Sequence, residues 1–197
     1  MKDFFYITGI ILVMLPFFYL ISTTNQSIYS LALFILILYP TLAALVNGAP
    51  FVPTPMTAVD RMIKAAGLKK GDKIYDIGCG DGRIVHQASK NYEISATGFE
   101  LSPFVYLLAR IKHLLWKSKA KIVFGNFKKH NLSDADVIFC YLLPETLAKL
   151  EPKLSRELKK GAKVVSYAFP VSPWTEKTKL ERDPENRLAP IWIYEKS

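Results

Sequence analysis

The sequence predicts a parallel α/β sheet with helices on both faces and a C-terminal antiparallel hairpin, preceded by a hairpin of two transmembrane helices. Three observations carry that expectation. Strand-like and helix-like patterns alternate from residue 57 to residue 169. A buried strand runs straight into a turn with glycine at every second position, Tyr75-Asp76-Ile77-Gly78-Cys79-Gly80-Asp81-Gly82-Arg83. The first fifty residues carry only Lys2 and Asp3 as charges. Alternation of this kind implies a parallel sheet wrapped by crossover helices.

The apolar leader is the first element. Residues 4–22 and 28–46 form two apolar runs, each close to the roughly 20 residues that a hydrocarbon core requires. About a dozen Leu, Ile, Val and Phe in each favour insertion by roughly 4 to 7 kcal/mol. Pro16 and Pro40 are tolerated in membrane spans, and the polar loop Thr23-Thr24-Asn25-Gln26-Ser27 makes a hairpin. The expected division is an anchor over 1–47, a linker over 48–56 and a catalytic-sized domain over 57–197. That domain, of about 150 residues, suffices for one buried core.

Beyond the linker, Thr54 is expected to cap a helix with Pro55 at its first position and Val59, Met62, Ile63 and Ala66 on one face. Strand and helix then alternate as 73–77, 82–90, 94–100 and 103–117, with further strands at 121–124 and 136–143. Leu147, Leu150, Leu154 and Leu158 mark one helix face ending near Gly161, and a strand follows at 163–169. Residues 175–181 and 190–195, around Asp183-Pro184-Glu185-Asn186, read as an antiparallel hairpin at the sheet edge.

The glycine turn points to a nucleotide-type cofactor. Glycine lets the backbone approach a ligand, and the helix that follows offers free N–H groups. Arg83 stands where the dinucleotide fingerprint needs its third glycine, which argues against NAD or FAD. The pattern that survives, Asp-x-Gly-x-Gly-x-Gly, resembles the first motif of class I S-adenosylmethionine (SAM) dependent methyltransferases, whose domain is Rossmann-like. Glu100 ends the second strand about 20 residues on, where a carboxylate can accept both ribose hydroxyls. Asn126, after the third strand, stands where many such enzymes place an aspartate toward the adenine amino group, and its amide oxygen is an equivalent acceptor.

The chain also resembles the small membrane-anchored protein-lysine N-methyltransferases that include the mitochondrial enzymes acting on the ATP synthase c-subunit and on the adenine nucleotide translocase. The resemblance rests on Pro50-Phe51-Val52-Pro53-Thr54-Pro55, Asp76 to Ile84, Thr97 to Pro103, and Val164 to Pro170 with Trp174. It departs in the leader, which looks like two spans and lacks Arg-rich mitochondrial character, as in a prokaryotic relative. The resemblance implies SAM as cofactor, held by Thr54, Asp76, Gly78, Cys79, Gly80, Gly82, Glu100, Leu101, Asn126 and Phe127. It implies a protein substrate with an accessible lysine, associated with the membrane.

A lysine with pKa near 10.4 is neutral in only about one molecule in 2,500 at pH 7, a deficit of about 4.6 kcal/mol that desolvation beside the sulfonium must reduce. Tyr141 and Glu145, at the end of the fourth strand, are the expected catalytic residues that orient the amine, with half-buried packing and a helix-dipole role as their structural alternatives. Phe51, Phe169 and Trp174 are expected to form an apolar lip, or else to pack at the core's edge. His86, His113 and His130 follow no strand end and read as surface or helix residues. Cys79 and Cys140 make neither a metal motif nor a disulfide pattern, and no metal is expected.

The net charge of +9 lies entirely beyond residue 50. Such a domain on a membrane tether is expected to face the cytoplasm. Its lysines are scattered without an aromatic-interleaved stripe, so nucleic acid is not the expected partner. Two other functions remain open on the sequence: methylation of a lipid or isoprenoid head group, and a non-catalytic SAM-binding membrane module.

Overall fold

The computed structural model describes residues 51–197, together with Tyr19, Leu31, Ala32 and Ile35 of the leader. The chain divides into two compact units, Met1–Leu42 and Ala43–Ser197. The four described leader residues are helical. The two expected membrane spans otherwise lie outside the described residues, among which no helix is long and apolar enough to cross a membrane.

In the second unit the order is α1 (Met56–Ala66), β1 (Lys73–Ile77), α2 (Arg83–Asn91), β2 (Ser95–Glu100), α3 (Pro103–Leu115), β3 (Lys121–Phe124) and a 3-10 turn (Phe127–Lys129). Then come β4 (Val137–Cys140), α4 (Pro144–Glu157), β5 (Lys163–Tyr167), β6 (Thr178–Leu180) and β7 (Ile191–Glu195). The seven strands form one sheet in the order β3-β2-β1-β4-β5-β7-β6. Pairs among β1 to β5 are parallel, and β7 runs antiparallel to both β5 and β6. The expected C-terminal hairpin is therefore present. Its second strand is inserted next to β5, which leaves the short β6 as the edge.

Strand order reverses between β1 and β4, because the chain moves outward through β2 and β3 and then returns to β1's other side. Such a reversal opens a crevice at the carboxyl ends of the strands. The glycine turn follows β1, and Tyr141 follows β4.

Each sheet face has its own core. On one, α1 contributes Val59, Met62, Ile63 and Ala66, α2 contributes Ile84, Val85 and Ala88, and α3 contributes Ala109. On the other, α4 lays down Leu147, Leu150 and Leu154, with Leu158 just beyond its end, against Ile138, Val164 and Tyr194. Each buried leucine contributes about 1.5 to 3 kcal/mol by leaving water. The apolar faces of α1 and α4 are both as the sequence predicts.

The start of α1 is not. Pro55 is its N-cap, with no side-chain capping hydrogen bond, and Thr54 is a buried residue before the helix. Thr54 has a different use, described below. Several other boundaries shorten by a few residues: α3 stops at Leu115, α4 at Glu157 and β4 at Cys140. Ends of elements carry little periodic signal, so the hydrophobic pattern overran them.

Candidate active site at the carboxyl edge of the sheet

The end of β1 is stitched to the end of β2. Gly78 and Cys79 N–H both donate to the Phe99 carbonyl, at 3.0 and 2.9 Å. Gly80 N–H donates to Glu100 Oε2 (3.0 Å), and Ser102 N–H donates to Glu100 Oε1 (2.7 Å). Glu100 thereby spans the glycine turn and the cap of α3. The N–H groups of Gly80, Ser102 and Leu101 together leave its carboxylate with acceptor capacity to spare, since two carboxylate oxygens offer about four lone-pair positions. Burial raises its pKa, opposed by the hydrogen bonds from Ser102, Gly80 and Leu101.

Asp76 is the most perturbed acid. It is 2% exposed, and its Oδ2 finds no hydrogen-bond partner among the described residues. Burial, then the charges of Glu100 and Asp81, push its pKa up to about 8. A buried carboxylate beside a second acid, with an unsatisfied oxygen, is short of positive charge. That deficit fits a cationic ligand with hydrogen-bond donors, such as SAM, whose sulfonium and ammonium both carry positive charge and whose ammonium donates.

Asp81, the third acid, is neutralised internally. Arg83 grips it with two bonds, Nε to Oδ1 at 2.8 Å and Nη2 to Oδ2 at 2.7 Å, and Lys112 Nζ of α3 lies 2.5 Å from Oδ2. Burial pulls the Asp81 pKa upward, but these cations outweigh it and hold the group below its ordinary value. Arg83 also donates through Nη1 to the Thr54 carbonyl at 2.7 Å. The residue that replaces the third glycine thus latches the lead-in segment to the turn.

Two close approaches show why the turn needs glycine. Gly80 has φ +58°, and a Cβ there would stand 2.6 Å from the Phe51 ring; Gly82 has φ +77°, and its Cβ would stand 2.3 Å from His113 Nε2. Phe51 therefore lies on the glycine turn, while α3 presses against the turn's other end. His113, read from the sequence as a surface or helix residue, lies on α3 and is buried there: it is 7% exposed, with Nε2 3.1 Å from the Gly82 carbonyl. Burial lowers its pKa, and His86 stacks on Trp116 at 4.6 Å beside it.

The remaining expected residues divide. Leu101, Asn126 and Phe127 follow β2 and β3 at the same sheet edge as Glu100, and Gly125 N–H donates to the Glu100 carbonyl at 2.8 Å. Asn126 Oδ1 already accepts from Lys128 N–H at 2.9 Å, which caps the 3-10 turn. Tyr141 is half-buried, edge-on to Tyr167 with ring centres 5.0 Å apart, and Glu145 is exposed in the first turn of α4. Trp174 does not join Phe51: its Nε1 donates to Glu151 and Ser155 of α4, and it packs in the second core. Phe169 also packs against that core. Cys79 and Cys140 are free and buried, and burial pushes both thiols up.

Sequence reasoning missed Asp81, Lys112 and His113 as parts of this edge. Only Arg83 left a signal, as an arginine where the dinucleotide fingerprint wants glycine. The contacts that give these residues meaning join positions 29 and 31 residues apart.

The comparisons with known proteins agree with this fold. A family model described as the ANTKMT methyltransferase domain matches residues 76–178. A protein-lysine N-methyltransferase of Saccharolobus islandicus is 36% identical over 152 residues, covering 76% of this chain and 94% of its own. The human ATP synthase c-subunit lysine N-methyltransferase is 30% identical over 75% of this chain, which spans 62% of the human protein's length. Among solved structures, one described as an RNA methyltransferase from Salinibacter ruber, in complex with S-adenosyl-L-homocysteine, superposes with a TM-score of 0.67. It is 32% identical and is covered over 93% of its length by 73% of this chain. The fold is the Rossmann-like class I methyltransferase fold. With a family model that spans the turn and most of the sheet, and a relative matched over nearly its whole length, the chain belongs to the ANTKMT methyltransferase domain family and is a SAM-dependent methyltransferase.

Proposed function

We propose that the protein methylates a lysine side chain of a membrane or membrane-proximal protein, and that residues 1–47 tether it as a two-span hairpin (4–22 and 28–46) with the catalytic domain in the cytoplasm. The linker is 48–56 and the methyltransferase domain 57–197. The observation that carries the acceptor class is the 36% identity to a protein-lysine N-methyltransferase over 94% of that protein. The two uncharged apolar runs support the tether.

In this reading SAM supplies an electrophilic methyl group on a sulfonium. Glu100 accepts from the ribose hydroxyls through the acceptor capacity that its bonds to the backbone leave free. Asp76 offers its unpartnered oxygen to the cationic end of the cofactor, and Gly78, Cys79, Gly80 and Gly82 keep the backbone close. Leu101, Asn126 and Phe127 bound the adenine, the second lone pair of Asn126 Oδ1 serving as acceptor. Thr54 acts through its carbonyl, held by Arg83. Tyr141 and Glu145 orient the amine, which must arrive neutral. Its nitrogen forms the new bond to the methyl carbon as the carbon–sulfur bond breaks, leaving S-adenosylhomocysteine and a methylammonium.

A second reading, transfer to RNA, is favoured by the description of the Salinibacter structure at 32% identity. One experiment separates the readings. Full-length protein and methyl-labelled SAM are incubated with membranes and total RNA of the source cell, with Asp76→Ala and Glu100→Ala as blanks. Label in a protease-sensitive fraction that yields methyl-lysine on hydrolysis supports the proposal. Label confined to RNA, or to organic-extractable lipid, overturns it, and SAM binding without any transfer would leave a binding module.

A further inference from the structure

The outer side of α3 is the least expected surface of the molecule. A helix on a sheet normally turns its apolar stripe inward, yet here only Ala109 and His113 are buried. Facing outward are Phe104, Leu107, Leu108, Ile111, Leu114 and Leu115, at positions that recur every three or four residues. Leu114 and Leu115 are 79% and 74% exposed. Beyond the helix Phe124, 51% exposed, extends the patch, its ring 5.3 Å from Tyr106 of α3. A contiguous exposed apolar face of this kind marks an interaction site.

Charge identifies the partner. From residue 101 to residue 133 the chain has seven cations, Arg110, Lys112, Lys117, Lys119, Lys121, Lys128 and Lys129, and no acid. Among the described residues, Lys112 is the one of these that pairs with an acid, Asp81; Arg110, Lys117, Lys119, Lys121, Lys128 and Lys129 are all exposed. An apolar helix face of Leu, Ile and Phe, closed by Trp116 and followed by lysines, is the composition of a helix that lies in the interface of an anionic bilayer.

We propose that the outward face of α3, with the lysines that follow it, docks on the interfacial layer of an anionic lipid surface. The helix begins three residues after Glu100, so this contact holds the carboxyl edge of the sheet at the surface where a membrane-embedded acceptor presents its lysine. The proposal deepens the membrane-proximal reading above, but its physical basis is residues 101–129 and not the leader.

The test uses the full-length chain carrying Leu114→Cys, labelled with an environment-sensitive nitrobenzoxadiazole; the two native cysteines are buried. Ala148→Cys on α4, across the sheet, is the control. Both proteins are reconstituted in vesicles of phosphatidylcholine, alone or with one quarter phosphatidylglycerol, containing spin-labelled lipid. In the anionic vesicles the label at 114 should shift to the blue and be quenched about twofold or more, with the label at 148 unchanged. Lys117→Glu, Lys119→Glu and Lys121→Glu together should abolish the effect, as should about 0.5 M salt. Equal quenching in neutral vesicles overturns the proposal. So does a label at 114 that is shielded without any bilayer, which would mean cover by residues 1–47, and so does cross-linking between two 114 positions, which would mean a second copy. Because the readout is lipid contact and not methyl transfer, its failure is distinguishable from failure of the acceptor assignment.

Discussion

Helices α3 and α4 are of similar length and each follows a parallel strand of the same sheet, yet they are built in opposite senses. α4 buries Thr146, Leu147, Leu150 and Leu154 and turns a charged side outward, whereas α3 buries Ala109 and His113 and turns its leucines outward. The helix that builds a core is therefore α4; α3 is seated by small, polar contacts against the glycine turn. The difference teaches that hydrophobic periodicity reports a face that will leave water, without saying whether the protein's own sheet will cover it.

The largest effect should come from the α4 side. Leu150→Ala, at a site with no exposure, should cost about 2 to 5 kcal/mol in a urea titration, while the affinity of the remaining folded protein for S-adenosylhomocysteine stays unchanged. A loss of affinity with little loss of stability would reverse the roles assigned to the two helices.

The next effect belongs to the turn. Asp76 has a folded pKa of about 8 against an ordinary value of 3.8, so between those values the native state holds a proton that the unfolded chain has released. Stability from this group is fully present below about pH 4 and is lost as pH rises through about 8. The ligand-free protein should therefore weaken between pH 5 and pH 8.5 relative to Asp76→Asn, and the difference should shrink when the cofactor is bound. Parallel pH profiles for the two proteins would remove the buried-acid account.

Gly82→Ala probes the seat of α3 directly. Its Cβ would need the space held by His113 Nε2, at a positive φ, and overpacking of this kind costs about 1 to 3 kcal/mol. Because the displacement reaches the helix that carries Lys112, cofactor affinity measured by calorimetry should fall as well. Preserved affinity would mean that the turn does not depend on α3. The smallest effect should be Leu114→Ala, within about 0.5 kcal/mol in urea because the side chain is exposed; a cost like that of Leu150→Ala would show that the α3 face is covered by protein.

Much of the fold was legible because periodicity and turn chemistry are local. Lys73 to Ile77 and Lys121 to Phe124 were placed to the residue, and the leucines of α4 were read as one face. The position of Glu100 at the end of β2, beside the glycine turn, was legible because its distance from that turn is set by the length of one helical crossover. Thr54 was misread: its residue type favours capping, but the tertiary bond from Arg83 takes its carbonyl and its side chain is buried before the helix. His113 was read as a surface or helix residue; it is on a helix, and its burial against the Gly82 carbonyl depends on a contact 31 residues away that no local pattern reports.

The sequence by itself determined the main strands of the sheet, the glycine turn that follows β1 and the placement of Glu100 at the end of β2, since hydrophobic period, glycine spacing and crossover length act over short stretches of chain. Only the tertiary structure decided that Arg83 and Lys112 neutralise Asp81, that Asp76 Oδ2 is buried without a partner among the described residues, and that α3 faces outward with its leucines. Those are outcomes of long-range packing, in which the cost of burying a charge or leaving apolar surface bare depends on which distant groups arrive beside it.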